Sequence, residues 1–69
     1  MDSNVIEGKW NQLRGSIRER WGDLTDDDLA KIAGKRDRLI GLLQEKYGYS
    51  RERAEQEVSD FLREQQRQV

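Results

Sequence analysis

The 69-residue sequence has no cysteine, no histidine and no proline. The first two absences each remove a class of chemistry. Without cysteine there are no disulfides, no thiol chemistry and no thiolate metal sites. Without histidine the usual general base and commonest transition-metal ligand is missing. Long apolar runs are absent too. The longest patch, residues 39–43, is interrupted by Gly41, far short of the roughly 20 residues of a membrane span. The start, Met1-Asp2-Ser3-Asn4, is acidic and lacks the charged-then-apolar layout of a secretory signal. The expectation is a soluble, cytoplasmic protein.

Apolar residues are scarce as well. Leu, Ile, Val and Phe make up 15 of 69 positions, and charged residues 39%. That is just above the roughly 20% apolar share below which chains stay disordered. The net charge of −1 supplies little self-repulsion. The balance points to a folded domain of modest stability, a few kcal/mol for a chain that buries only about 60% of its unfolded surface.

The sequence does contain a repeat. Glycines fall at 8, 15, 22 and again at 34, 41, 48, each triplet spaced by seven. An offset of 26 superimposes GKWNQLRGSIRERWG (8–22) on GKRDRLIGLLQEKYG (34–48), with six of fifteen positions identical. This reads as an internal duplication. The residues after each unit agree: Thr25 and Ser50 are natural N-caps. Asp28 stands at the capping-box position after Thr25, and Leu24 with Leu29 and Tyr49 with Ala54 have hydrophobic-staple spacing. Gly22 and Gly48 suit left-handed positions ending the preceding helices.

Helical periodicity fills the segments between. Ile6, Trp10, Leu13, Ile17 and Trp21 form one stripe; Leu39, Ile40, Leu43 and Tyr47 another; Ala54, Val58, Phe61, Leu62 and Gln65 a third. A short segment, 26–33, turns Leu29 and Ile32 inward, and either breaks at Gly34 or runs on. No segment alternates with period two. The expected fold is all-α: one domain over residues 1–69, built as two packed αα-hairpins, about 4–33 and 34–66, with a polar tail.

The run Trp21-Gly22-Asp23-Leu24-Thr25-Asp26-Asp27-Asp28-Leu29, then Ile32-Ala33-Gly34-Lys35-Arg36-Asp37-Arg38-Leu39, then Gln44-Glu45-Lys46-Tyr47-Gly48-Tyr49 resembles the CsbD-like family of small bacterial proteins. The resemblance extends from about Gly8 to Phe61. It implies a general stress-response protein with a compact four-helix fold like that of SAM-type domains, two orthogonal hairpins. It implies no established enzyme activity and no agreed functional residues. The departures are an Arg-rich rather than Lys-rich balance and the polar tail after Phe61.

The residues argue against catalysis independently. Hydroxyl nucleophiles number four Ser and one Thr, with no base beside them. There is no glycine-rich phosphate loop, and a carboxylate pair would need a cleft that shifts a pKa. No catalytic, cofactor-binding or metal-ligating residue is expected, no cofactor, and no small-molecule substrate. The acidic run Asp23, Asp26, Asp27, Asp28 lacks the ligand spacing of a calcium loop. Acidic side chains in a first helical turn complement the helix dipole.

Charge is segregated. Residues 7–20 carry four basic and two acidic groups, 21–33 one and four, 34–47 four and two, and 50–69 four and five. The repeated helices are the basic ones. Arg14, Arg18, Lys35, Arg36 and Arg38 would meet phosphate if the fold gathers them. The pI near 5.4 is wrong for a dedicated nucleic-acid binder, and nucleic acid ranks below a protein partner or self-association. Gly8, Gly15, Gly34 and Gly41 point away from the apolar stripes, where each helical glycine costs roughly 1 kcal/mol against alanine. The favoured account is another helix of the same chain crossing there; the alternatives are a smooth face that docks a partner or a second copy, and mere tolerance of the glycines. The aromatics belong to the core, with Tyr49 half exposed at a turn; only Tyr49 with Arg51 comes near a base-stacking pair.

Overall fold

The computed structural model describes residues 8–67, and the side chains of 8–65. Over that range it is all-α, with four helices: α1 Trp10–Arg20, α2 Asp26–Ile32, α3 Arg36–Tyr47 and α4 Arg51–Arg67. Ile6, the start of the first unit at residue 4 and the tail beyond 67 lie outside the described residues. The most extensive helix contacts run between α3 and α4 and between α2 and α3. No helix among the described residues is long and apolar enough to cross a membrane.

The starts of α2 and α4 and the end of α3 have local causes. Ahead of α2, the Thr25 hydroxyl accepts from the Asp28 N–H at 3.1 Å and the Asp28 carboxylate accepts from the Thr25 N–H at 3.0 Å. That reciprocal box satisfies two donors the helix would otherwise leave bare. Leu24 and Leu29, at staple spacing, are both buried. The α4 N-terminus is capped by Ser50, whose hydroxyl accepts from the Arg53 N–H at 3.0 Å. Gly48 ends α3 in the left-handed region, φ 71°.

The first unit ends differently from the second. Trp21 follows α1 with φ −123°, and Gly22 is not left-handed. The Trp21 N–H closes on the Ile17 carbonyl at 2.8 Å, and the Leu24 N–H on the Trp21 carbonyl at 3.0 Å. This tight turn ends the helix without a positive φ, so the glycines at 22 and 48 are equivalent in sequence only.

The helix after Thr25 breaks before Gly34. Ala33 is left-handed, φ 49°, and Gly34 follows at φ 80°. Gly34 is buried in this turn and lies on no helical face. The expectation that another helix crosses the remaining glycines is also overturned. A Cβ placed at Gly8, Gly15 or Gly41 would meet no described atom within 4 Å.

The core is the expected one, except that Trp10 and Tyr47 pack against it only half-buried. Leu13, Ile17 and Trp21 meet Leu24, Leu29, Ile32, Leu39, Ile40, Leu43, Ala54, Val58, Phe61 and Leu62, all at most 4% exposed. Trp21 and Phe61 hold α1 to α4, ring centroids 5.2 Å apart and tilted by 53°, a geometry that adds about 0.5–1.5 kcal/mol to area burial. Arg20 reinforces that contact, pairing with Glu64 at 2.6 Å and Glu57 at 3.7 Å.

Candidate interaction surface

The expected surface residues fall in different places. Arg14 and Gly15 lie exposed on α1. Arg18, on the same helix, is engaged with Asp26 at 2.8 Å. Gly8 borders a hollow with Lys9, Trp10, Asn11, Gln12 and Ala33. Lys35 sits in the α2–α3 turn beside Gly34. Arg36 is half-buried and donates from Nη2 to the Ser59 hydroxyl at 3.1 Å, while its buried Nη1 has no hydrogen-bond partner among the described residues. Arg38 and Gly41 line the same open hollow, of about 570 Å³, between α2 and α3.

That hollow has an apolar floor and a charged rim. Ala30, Gly41 and Leu42 line the floor; Lys31, Arg38 and Glu45 stand around it. A Cβ placed at Gly41 would meet no described atom within 4 Å. Arg38 is held at the rim by a bond from Nη1 to the Lys31 carbonyl at 3.0 Å. The Lys31 and Glu45 side chains make no hydrogen bond or ion pair with other described residues.

At the other end of α3 the chain is tied down. Asp28 accepts from the Thr25 N–H and from Lys46 Nζ, the latter at 3.1 Å. The backbone bond first, then Lys46, hold its carboxyl below the ordinary value of 3.8 against an opposing desolvation. The neighbouring Tyr47 hydroxyl accepts from the Asp23 N–H at 3.1 Å. Tyr49 stacks on Tyr47, centroids 5.4 Å apart, and its ring lies 4.5 Å from the Arg53 guanidinium. Arg51 turns to Glu55 instead, at 3.1 Å. These groups serve the fold. Among the described residues no three metal-ligating side chains converge.

A profile of CsbD-like proteins matches residues 4–56. The chain belongs to the CsbD-like family. It is 66% identical over 61 residues to UPF0337 protein PA4738 of Pseudomonas aeruginosa, covering 88% of this chain and 94% of that one. It is 49% identical over 61 residues to UPF0337 protein YjbJ of Escherichia coli, covering 88% of each. A UPF0337 protein of Pectobacterium atrosepticum, ECA0631, is 53% identical over 61 residues, again covering 88% of each. No solved structure matches the chain. The names of these CsbD-like relatives state no activity, substrate or partner.

Sequence reasoning reached Arg38 and Gly41 but not Lys31, Leu42 or Glu45, which share their hollow. A signal for two of these was present. Arg38, Gly41, Leu42 and Glu45 have the i, i+3, i+4, i+7 spacing that places side chains on one helical face. Lys31 comes from another helix, and only the packing of α2 on α3 brings it there.

Proposed function

We propose that this CsbD-like chain is a non-catalytic, cytoplasmic protein of bacterial stress tolerance that acts by binding, through the charged, glycine-bearing faces of α1 and α3. One observation carries the reading. Gly15 and Gly41 sit inside helices, where each costs about 1 kcal/mol against alanine, and face open space. Among the described residues nothing packs against them. A surface that admits another backbone would gain from them. The stress setting follows from the family resemblance. The absence of catalysis is supported by where the hydroxyls go: Thr25 and Ser50 cap helices, and Ser59 accepts from Arg36.

A second reading, association with nucleic acid, is favoured by Lys9 and Arg14. Both are exposed on or beside α1 and pair with no described carboxylate. Its weakness is Asp26, which neutralises Arg18 on the same helix. Capture from stressed bacterial lysate on the immobilised, folded chain separates the two, run with and without nuclease. A discrete protein that survives nuclease supports the first reading. Recovery that collapses with nuclease overturns it in favour of the second. Nothing above background from a bait verified as folded removes both.

A further inference from the structure

The hollow over Gly41 is self-complementary. Four residues of α3 face it or flank it: Arg38, Gly41, Leu42 and Glu45. Their pattern is symmetric about a point midway between 41 and 42. Reversing the helix direction about that point exchanges 38 with 45 and 41 with 42. The chemistry is complementary under the same exchange: a guanidinium changes places with a carboxylate, and a gap with a half-exposed Leu side chain.

We propose that this face of α3 pairs with the same face of a second copy of the chain, antiparallel and about a two-fold axis. In that arrangement Leu42 of each copy enters the space above Gly41 of the other. Arg38 of each copy meets Glu45 of the other. The contact is isologous, so one surface supplies both halves and the assembly closes at a dimer. The missing side chain at 41 lets the two helices approach toward the short end of the roughly 8–10 Å range of packed helix axes.

Two further features suit the pairing. Arg38 is already fixed at the rim by the Lys31 carbonyl, so little side-chain freedom is lost when a carboxylate arrives. Glu45 has no partner among the described residues, so no existing bond is broken. Most other arginines are engaged at home: Arg18, Arg20, Arg51, Arg53 and Arg63 all pair with carboxylates. A foreign partner would require no internal symmetry in this face; a second copy does. One helix pair buries less than the roughly 1,200 Å² of stable interfaces, so the association is of the weak, reversible class.

The inference rests on the binding reading above but is tested on pure protein, so a monomer in this experiment leaves capture from lysate standing as a separate question. Sedimentation equilibrium over roughly 10 µM to 1 mM, the range for weak association, reads the mass. The wild-type chain rises from 8.2 kDa toward twice that. Arg38→Glu and Glu45→Arg each abolish the rise, because each sets like charges face to face twice. An equimolar mixture of the two variants recovers it, since each carries the sign the other lacks. Circular dichroism confirms that both variants stay helical. Should a charge reversal unfold the chain, Gly41→Leu, which favours the helix and fills the hollow, must also remain monomeric. A wild-type chain that stays at the monomer mass overturns the proposal. So does a dimer indifferent to the substitutions, or a variant mixture that fails to reassociate.

Discussion

Gly15→Ala and Gly48→Ala make the same chemical change at two positions where the backbone asks for opposite things. Gly15 lies in the middle of α1 with a helical φ, and a methyl group there touches nothing within 4 Å. The substitution removes the excess backbone freedom of glycine in the unfolded chain and adds no clash. It should stabilise by about 0.8–1.0 kcal/mol. Gly48 also has open space around it, but its φ is +71°. Alanine there costs about 0.5–1 kcal/mol net: Cβ crowding in the left-handed region, about 1–2 kcal/mol, exceeds the roughly 0.4–1 kcal/mol gained from a less free unfolded chain. The two variants therefore move in opposite directions from the wild type and end about 1.5–2 kcal/mol apart. For a domain this small, whose total stability is only about 0.05–0.15 kcal/mol per residue, that is a large fraction. Urea unfolding read by the fluorescence of buried Trp21 gives the answer. The midpoint of Gly15→Ala should rise by up to roughly 1 M with an unchanged slope, and its melting temperature by about 4–8 °C. Gly48→Ala should fall by a similar amount. A loss of stability in Gly15→Ala would mean that the outer face of α1 is packed, and would refute the claim that it is open.

Three other outcomes follow from local geometry. Ala33→Gly should stabilise the chain by about 0.5–1 kcal/mol: relief of a left-handed alanine, about 1–2 kcal/mol, exceeds the roughly 0.4–1 kcal/mol of unfolded-state entropy that glycine adds. A melt showing destabilisation would place Ala33 outside the left-handed region. Thr25→Ala should cost about 1 kcal/mol through loss of the α2 cap, measured by the same urea titration. The Asp28 carboxyl titrates lower in the folded chain than in the unfolded one. Its contribution is therefore complete above the ordinary carboxylate value and drains away as pH falls through its depressed one. Asp28→Asn should flatten that part of the acid limb in stability measured against pH. An unchanged limb would show that the Thr25 and Lys46 contacts do not hold the charge.

The sequence was most readable where a short-range rule applies. The box at Thr25 and Asp28, the Ser50 cap and the left-handed Gly48 are decided within three or four residues, so spacing alone exposes them. The apolar stripes named the core, because helical period three-to-four leaves few alternatives in a chain this poor in apolar residues. Reasoning by repeat went too far at Gly22. A glycine in the matching register need not share a conformation, and the bond from the Leu24 N–H to the Trp21 carbonyl makes a left-handed residue unnecessary. The turn at Ala33 and Gly34 was hidden for the opposite reason. Alanine normally continues a helix, yet here it is left-handed in a turn closed by the Lys35 N–H on the Ile32 carbonyl at 2.8 Å. Contacts such as Arg20 with Glu64, 44 residues apart, depend wholly on tertiary arrangement. The same limit applied to the surface. Gly41 and Arg38 were visible on one helix, but the hollow they share needs Ala30 and Lys31 from another.

The central claim is that the helical glycines are kept for a surface and not for the fold. Stability and partner recovery measured together on one doubly substituted chain, Gly15→Leu with Gly41→Leu, test it most directly. The account predicts a chain at least as stable as the wild type that has lost the protein it recovers from stressed lysate. A chain equally stable and equally able to bind would contradict it, because the glycines would then serve neither the fold nor the surface.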